Sequence, residues 1–191
     1  MKFINKQTIE LDRELSDLDS FAIDFVKILQ QYSSYVIISG YVAILLGRAR
    51  ASEDIDILIP KCDFSLFTQL YHKLKKNGFY CLNAEKDDDI YEYLIEGLAI
   101  RFAKKDTIIP NIELKWAKNT IDDLSLKHTI DVKVKKEILC ISHLELQIAF
   151  KEKVLQSPKD MDDAQHIREV AKEYLDRDLI EKYKEMLHGF Y

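Results

Sequence analysis

The sequence predicts an α+β fold, with an α/β core in which a mixed β-sheet is flanked by helices and followed by a helical C-terminal part. Short apolar runs typical of buried strands alternate with stretches of helical periodicity over residues 1–141. Beyond that point the pattern is helical. With 191 residues, 47% of them hydrophobic, the chain suits one globular domain. We therefore predict a core over residues 1–141 and a helical subdomain over residues 142–191 packed on it.

Apolar runs in chain order predict the strands. They are Thr8–Leu11, Tyr35–Ile38, Asp54–Ile59, Phe79–Leu82, Leu98–Phe102 and Ile112–Trp116. The segment from Ile130 to Val134 alternates apolar and polar residues, as a half-exposed strand does. Two segments have weaker patterns. Glu85–Asp89 is predicted to be a solvated loop, and Ile90–Ile95 is either a strand or a helical turn.

Helical periodicity and capping residues predict the helices. They are Leu15–Gln31, Tyr41–Leu46, Asp63–Lys76, Leu144–Leu155, a helix beginning at Pro158, and Arg177–Leu187. Asn77-Gly78 is a typical helix end, and Ser157-Pro158 a typical helix start. The spacing of Ser142 and Glu145 predicts a capping box for the helix at Leu144.

Composition restricts the environment and the partners of the chain. The net charge of −5 argues against a general polyanion binder. The three cysteines are widely spaced and odd in number, which suits a reducing cytoplasm and argues against a cysteine-based zinc cluster. No apolar run approaches the length of a membrane span, and the first residues do not have the pattern of a signal peptide. We expect a cytoplasmic protein without a membrane partner.

The most informative stretch is residues 35–59. The first strand stops at Ser39-Gly40, where glycine permits a tight turn that brings backbone N–H groups close to a ligand. The second strand opens with Asp54 and Asp56, which alternation places on the same face at the edge of the sheet. Two adjacent carboxylates in an apolar strand need a positive partner, and Mg²⁺ bound together with phosphate oxygens is the best one. The pattern therefore indicates phosphoryl or nucleotidyl transfer.

This stretch resembles the nucleotidyltransferase superfamily related to polymerase beta. The signature of that superfamily is Gly-[Gly/Ser], about a dozen residues, and then Asp-h-[Asp/Glu]-h. The segment Arg50-Ala-Ser52-Glu-Asp54-Ile-Asp56 is similar to the branch that contains AbiEii-type toxins, as is the later lysine helix followed by Lys159-Asp160-Met-Asp-Asp163. The order Ser39-Gly40 departs from the usual Gly-Gly or Gly-Ser.

The resemblance implies a third carboxylate on a later strand next to the Asp54–Asp56 strand. Glu113, an acid inside an apolar strand, suits that position, and Asp131 is its rival. We prefer Glu113 because Asp131 lies in a strand whose polar residues alternate outward.

The resemblance further implies a nucleotidyltransferase that moves NMP from an NTP to a hydroxyl acceptor with Mg²⁺ or Mn²⁺. Asp54, Asp56 and Glu113 would be the catalytic and metal-binding residues. The nucleotide phosphates would be bound by Ser39, Gly40, Arg50, Ser52 and Lys151. The acceptor would be tRNA or another RNA, a protein or a small molecule, and the AbiEii likeness implies a toxin-like role with a cognate antitoxin. The alternative is a catalytically silent binding module with the same fold.

Overall fold

A nine-stranded mixed sheet forms the centre of the protein. In the computed structural model, which describes residues 1–188, the strands are β1 (Lys2–Asn5), β2 (Thr8–Leu11), β3 (Val36–Ile38), β4 (Asp54–Ile59), β5 (Phe79–Cys81), β6 (Ile100–Lys104), β7 (Asn111–Trp116), β8 (Thr129–Val134) and β9 (Glu137–Ser142). Their order across the sheet is β1-β2-β8-β9-β3-β4-β7-β6-β5. The α/β fold class predicted from the sequence is confirmed.

Eight α-helices of the described chain surround this sheet. They are α1 (Asp17–Leu29), α2 (Gly40–Leu45), α3 (Phe64–Lys76), α4 (Asp87–Ile95), α5 (Thr120–Lys127), α6 (Leu144–Phe150), α7 (Pro158–Val170) and α8 (Arg177–Leu187). A π-helical turn, Lys151–Leu155, continues α6. No helix within residues 1–188 is both long enough and apolar enough to cross a membrane.

The central strands β3, β4 and β7 are buried on both faces, which leaves little room for polar residues in the core. The apolar residues of β3, β4 and β7 are almost all buried, as expected of strands covered on both faces. Phe25 of α1 packs edge-on against Phe79 of β5, with ring centroids 5.2 Å apart. Helix α6 packs against α7 and α8. A charged residue in β4 or β7 therefore needs a partner at the edge of the sheet.

Strand pairing decides which residues meet. β3 is antiparallel to β4, with Ile38 opposite Asp56, and β4 is parallel to β7, with Asp56 opposite Glu113. The end of β3 and the starts of β4 and β7 thus lie together at one end of the central strands, which we call the edge of the sheet at this site. β9 runs parallel to β3 and leads into α6, which brings that helix to the same edge.

Several element predictions are confirmed, and two are wrong. β2, β4 and α8 have the predicted bounds, and Ser157 caps α7 by accepting a hydrogen bond from the Asp160 backbone N–H at 3.2 Å. The predicted loop Glu85–Asp89 is wrong in its second half, because Asp87 to Asp89 form the first turn of α4. Acids are stabilised there by the helix dipole.

The predicted capping box at Ser142 and Glu145 is also wrong. Ser142 belongs to β9, and its hydroxyl lies 3.4 Å from the Ser125 hydroxyl. Glu145 instead accepts a hydrogen bond from the Asp176 backbone N–H at 3.0 Å. Both side chains are therefore used to join separate segments. The predicted division after residue 141 stays a prediction, and residues 189–191 of its C-terminal part lie outside the described residues.

Candidate active site

The Ser39-Gly40 bend follows β3 directly. Ser39 has a backbone φ of 66° and ψ of −138°, a conformation that residues other than glycine rarely adopt. Its backbone N–H donates a hydrogen bond to Oε1 of Gln147 on α6, at 3.0 Å. The strained bend is therefore held by a contact to the helix across the edge of the sheet.

Gly40 lies against a close side-chain contact. A Cβ atom on Gly40 would lie 2.9 Å from Nη2 of Arg50, closer than real Cβ contacts. The guanidinium group of Arg50 packs on the Cα of Gly40, so the loop before β4 is positioned against the start of α2. This explains glycine at position 40 without reference to a ligand.

The two predicted acids of β4 lie beside the bend, as the sequence pattern predicts. Asp54 is exposed, and its carboxylate Oδ1 accepts a hydrogen bond from the Ser52 hydroxyl at 3.2 Å. Asp56 is partly buried, with 16% of its side chain exposed. Glu113, opposite Asp56 on β7, is buried. The strand register thus places an acid of β7 next to the second acid of β4.

Two cations engage these acids. Nζ of Lys115 lies 2.6 Å from Oδ1 of Asp56 and 3.1 Å from Oε2 of Glu113. Arg101 of β6 donates from Nε to the other oxygen of Glu113, Oε1, at 2.7 Å. We call Asp54, Asp56, Glu113, Lys115 and Arg101 the acid cluster. The two cations pair with Asp56 and Glu113, and the exposed Asp54 adds a third carboxylate, so the cluster has an excess of negative charge.

The pKa values in the acid cluster separate Asp56 from Glu113. Burial raises the pKa of Asp56, and the attraction of Lys115 offsets only part of this effect. Burial acts in the same direction on Glu113, but hydrogen bonds from Arg101 and Lys115 outweigh it and lower the pKa. Burial disfavours the charged form of Lys115, and the attraction of Asp56 outweighs it and raises the pKa of Lys115. Asp56 is therefore the less fully compensated of the two buried acids.

A cavity of about 270 Å³ opens next to these residues, between the sheet edge and α6. Its polar lining residues are Ser39, Asp56, Lys115, Lys118, Asn119, Asp122, Ser125, Gln147 and Lys151. The remaining wall is largely apolar and includes Ile38, Trp116, Ile121, Leu146 and Phe150. A cavity lined by both charged and apolar side chains is suited to a ligand that has polar and apolar parts.

The other predicted cations lie in a separate buried network. Lys151, 1% exposed, places Nζ 2.8 Å from Oδ2 of the fully buried Asp163. Nη1 of Arg50 is 2.5 Å from the same oxygen, and Arg48 binds the second oxygen, Oδ1. We call Asp163, Arg48, Arg50 and Lys151 the Asp163 cluster. Burial raises the pKa of Asp163, but hydrogen bonds and charges from these cations outweigh it and lower the pKa.

The donor chemistry of the acid cluster fits a hard divalent cation. Mg²⁺ is usually held by one or two carboxylates together with waters and phosphate oxygens, and Asp54 and Asp56 supply such a pair. Within residues 1–188, no three acidic, histidine or cysteine side chains converge closely enough to form a complete metal site. The protein therefore supplies part of a coordination shell, and the phosphates of a ligand would have to supply more.

The structure brings together Ser39, Gly40, Asp54, Asp56 and Glu113. It does not bring Asp131 to them: that residue lies on β8, which is separated from β4 by β9 and β3. Only Glu113 of the two rivals is next to the Asp54–Asp56 strand.

Sequence reasoning missed three parts of the site. Gln147 carried no signal, because its contact to Ser39 depends on how α6 meets β3. The ion pairs of Lys115 were foreshadowed only by its place on the same strand face as Glu113. Asp163 was interpreted as a first-turn acid of its helix, which is wrong: it is the sixth residue of α7 and the buried centre of its cluster.

Comparisons with known proteins place the fold. The sequence matches no protein-family model and no curated protein. Among solved structures, ANT(2'')-Ia in complex with adenylyl-2''-tobramycin aligns with a TM-score of 0.57 and 11% identity over 93% of this chain and 99% of that chain. An antigenic nucleotidyltransferase-like protein from Paracoccidioides brasiliensis aligns with a TM-score of 0.54 and 15% identity, over 91% and 88% of the two chains. JHP933 from Helicobacter pylori has a TM-score of 0.50 and 18% identity, over 87% and 72%. The chain therefore has the fold of nucleotidyltransferases.

Proposed function

We propose that the protein is a nucleotidyltransferase that moves NMP from an NTP to a hydroxyl acceptor and depends on Mg²⁺ or Mn²⁺. One observation carries the proposal: Asp56 is paired in register with Glu113, directly beside the Ser39-Gly40 bend and at the wall of a cavity. The likeness to solved nucleotidyltransferases supports the fold on which the proposal depends.

In the proposed reaction the acid cluster supplies the metal-binding and catalytic groups. Asp54 and Asp56 would hold the cation, and Glu113 would complete the site or orient the acceptor hydroxyl for in-line attack on the α-phosphorus. The bound cation would neutralise charge on the phosphates and on the departing pyrophosphate. The attacking oxygen forms a bond to the α-phosphorus as the bond to the β-phosphate oxygen breaks, and pyrophosphate leaves.

The bend and the nearby cations would bind the triphosphate. Ser39 and Gly40 would bind the β- and γ-phosphates through backbone N–H groups, with Ser52 as a further hydroxyl donor. The Ser39 N–H would exchange its hydrogen bond to Oε1 of Gln147 for one to a phosphate oxygen. Arg50 and Lys151 would add positive charge. Both are paired with Asp163 in the structure, so they would act on the phosphates from positions fixed by that carboxylate.

The proposal also covers the acceptor and the biological role. We infer an acceptor with a free hydroxyl, and the AbiEii resemblance favours tRNA and a toxin-like role in the cytoplasm, regulated by an antitoxin. The ANT(2'')-Ia structure is a complex with adenylyl-2''-tobramycin, and this makes a small-molecule acceptor the direct competitor.

Incorporation of labelled nucleotide tests the proposal. The protein is incubated with Mg²⁺ and each labelled NTP in turn, with total RNA, protein lysate or a small-molecule extract as acceptor. We expect label in one acceptor pool with wild type and none with Asp54→Asn/Asp56→Asn. Asp131→Asn, an exposed acid on β8, is the matched control and should transfer label normally. Transfer that survives the double substitution would refute the assignment.

A silent binding module is the second candidate, favoured by the contacts of Lys115 to both Asp56 and Glu113. An ammonium group can replace a metal as the partner of these acids in a protein that never binds one. Calorimetry with ATP or CTP, with and without Mg²⁺, separates the two candidates. The silent module predicts no Mg²⁺-dependent nucleotide binding, and the enzyme predicts binding that Mg²⁺ strengthens.

A further inference from the structure

The side chain of Lys115 bridges the two strands that carry the candidate metal ligands. Its Nζ lies 2.6 Å from Oδ1 of Asp56 and 3.1 Å from Oε2 of Glu113, between two carboxylates that face each other in register. Lys115 also lines the cavity and keeps 29% of its side chain exposed. It is therefore held by the acids on one side and has open space on the other.

The two acids differ in how strongly they depend on Lys115. Glu113 has a second cation, because Arg101 donates to its other oxygen. The only cation within ion-pairing distance of Asp56 among residues 1–188 is Lys115. Removal of the ammonium group therefore leaves the Asp56 carboxylate without an ion-pair partner in the described part of the chain, open to another cation.

A divalent cation and this ammonium group cannot occupy the same place. Mg²⁺ binds carboxylate oxygens at about 2.0–2.1 Å, so a cation on Oδ1 of Asp56 and Oε2 of Glu113 would fill the space that Nζ now holds. Two positive charges at such a separation also repel each other strongly where water is partly excluded.

We propose that Lys115 is an exchangeable counter-cation: in the nucleotide-free protein it occupies the position between Asp56 and Glu113, and a divalent cation binds there only by displacing it into the cavity. The inference rests on the proposed function for the identity of the cation. It adds a regulatory property, because the protein discriminates against metal binding in the absence of an anionic ligand that could receive the displaced ammonium group.

Mn²⁺ binding to the full chain without nucleotide tests the proposal, with free Mn²⁺ measured by electron paramagnetic resonance. We expect Lys115→Met to bind Mn²⁺ on the order of tenfold more tightly than wild type, since a competing charge has been removed. Lys118→Met is the matched control, because Lys118 lines the same cavity and forms no ion pair in the described part of the chain. Asp56→Asn/Lys115→Met should lose the gained affinity, which assigns the gain to this site.

An equal or weaker Mn²⁺ affinity of Lys115→Met would overturn the proposal, as would an equal gain in Lys118→Met. Should Lys115→Met not fold, Lys115→Gln keeps a hydrogen-bonding group of similar length without the charge and should show the same gain. A measurement on the wild type is independent of both variants. In lysine-labelled protein, the Lys115 Cε resonance should move as Mg²⁺ is added and then shift further with nucleotide, and a static resonance at saturating Mg²⁺ would contradict displacement.

The transfer assay separates failure of this inference from failure of the proposed function. Tighter Mn²⁺ binding by Lys115→Met in a protein that transfers no nucleotide would uphold the exchange and refute the enzyme. Nucleotide transfer by a wild type whose Mn²⁺ affinity is unaffected by Lys115→Met would uphold the enzyme and refute the exchange.

Discussion

The acid cluster and the Asp163 cluster are two groups of charged residues that differ in their balance of charge and in the direction of their pKa shifts. In the Asp163 cluster one fully buried carboxylate is surrounded by Arg48, Arg50 and Lys151, and its pKa is lowered. In the acid cluster the carboxylates outnumber the cations, and the pKa of Asp56 is raised. Both lie beside the same bend, since Arg50 packs on Gly40 and Ile38 is opposite Asp56.

The opposite pKa shifts of Asp163 and Asp56 support different roles for the two clusters, one in stability and the other in the proposed ligand binding. A buried charge whose partners lower its pKa stabilises the folded state, and its cations are fully engaged. An acid that remains under-compensated next to a cavity has the capacity to bind a further cation. We therefore expect substitution of Asp163 to act mainly on stability and substitution of Asp56 mainly on ligand binding and transfer.

The largest expected effect on stability comes from Asp163→Asn. Removal of this carboxylate leaves three cations close together, two of them with little contact to water, which typically costs about 3–5 kcal/mol. Urea unfolding followed by circular dichroism measures the loss. Asp162→Asn is the control: its carboxylate, 70% exposed, pairs with Arg48 at 3.1 Å, and such surface pairs contribute about 1 kcal/mol or less. Equal losses for the two variants would contradict the assignment of Asp163 as the buried centre.

Asp56→Asn should have a large effect on nucleotide transfer and a small effect on stability. We expect nucleotide transfer to fall by roughly a thousandfold or more, because the proposed metal ligand is removed. We expect the free energy of unfolding to change by only about 1 kcal/mol, since burial already disfavours the charged form of Asp56. Transfer rates and urea unfolding of the same preparation give both values. If Asp56→Asn lost several kcal/mol of unfolding free energy and kept its transfer activity, Asp56 would be a stabilising residue like Asp163.

The two clusters should also respond to pH with opposite signs. The folded pKa of Asp163 is lowered from 3.8, so its stabilisation is present above pH 3.8 and is lost as the pH falls through the folded value. The folded pKa of Asp56 is raised from 3.8, so wild type should gain stability relative to Asp56→Asn as the pH falls from neutral through that raised value. Unfolding free energies of wild type and both variants between pH 7 and pH 3 test this. Parallel pH dependences of the two differences would count against it.

The smallest expected effect concerns the contact that joins the clusters. Gly40→Ala would place a methyl group 2.9 Å from Nη2 of Arg50 and push the guanidinium aside. Because the obstructing group is the end of a flexible side chain, we expect a loss of about 1 kcal/mol. A double-mutant cycle with Arg50→Met measures the coupling, and the cost of Gly40→Ala should shrink in the Arg50→Met background. An unchanged cost would place the strain elsewhere.

Local sequence patterns predicted the acid cluster better than the Asp163 cluster, for a physical reason. The bend and Asp54-x-Asp56 are encoded by neighbouring residues, and alternation along one strand is enough to place both acids on one face. Asp56 and Lys115 are separated by 59 positions, so their contact depends on the pairing of β4 with β7. Asp163 is the sixth residue of α7, beyond its first turn, and its burial depends on how α7 meets the loop before β4.

The same limit explains the errors in the element assignment. Ser142 and Glu145 have the spacing of a capping box, yet both side chains bond to distant segments that local periodicity cannot reveal. Helix α5 and strands β1 and β9 were not predicted; β9 is stabilised by pairing with β8 and β3, and β1 by pairing with β2.

In the proposed site, Asp56 and the Ser39-Gly40 bend bind the same metal-bound nucleotide. Crystals grown with Mn²⁺ and a non-hydrolysable NTP, measured at the manganese absorption edge, test it directly. We expect an anomalous peak at about 2.0–2.3 Å from a carboxylate oxygen of Asp56, with the triphosphate against the bend. A peak at another surface, or a triphosphate bound away from Ser39 and Gly40, would contradict it.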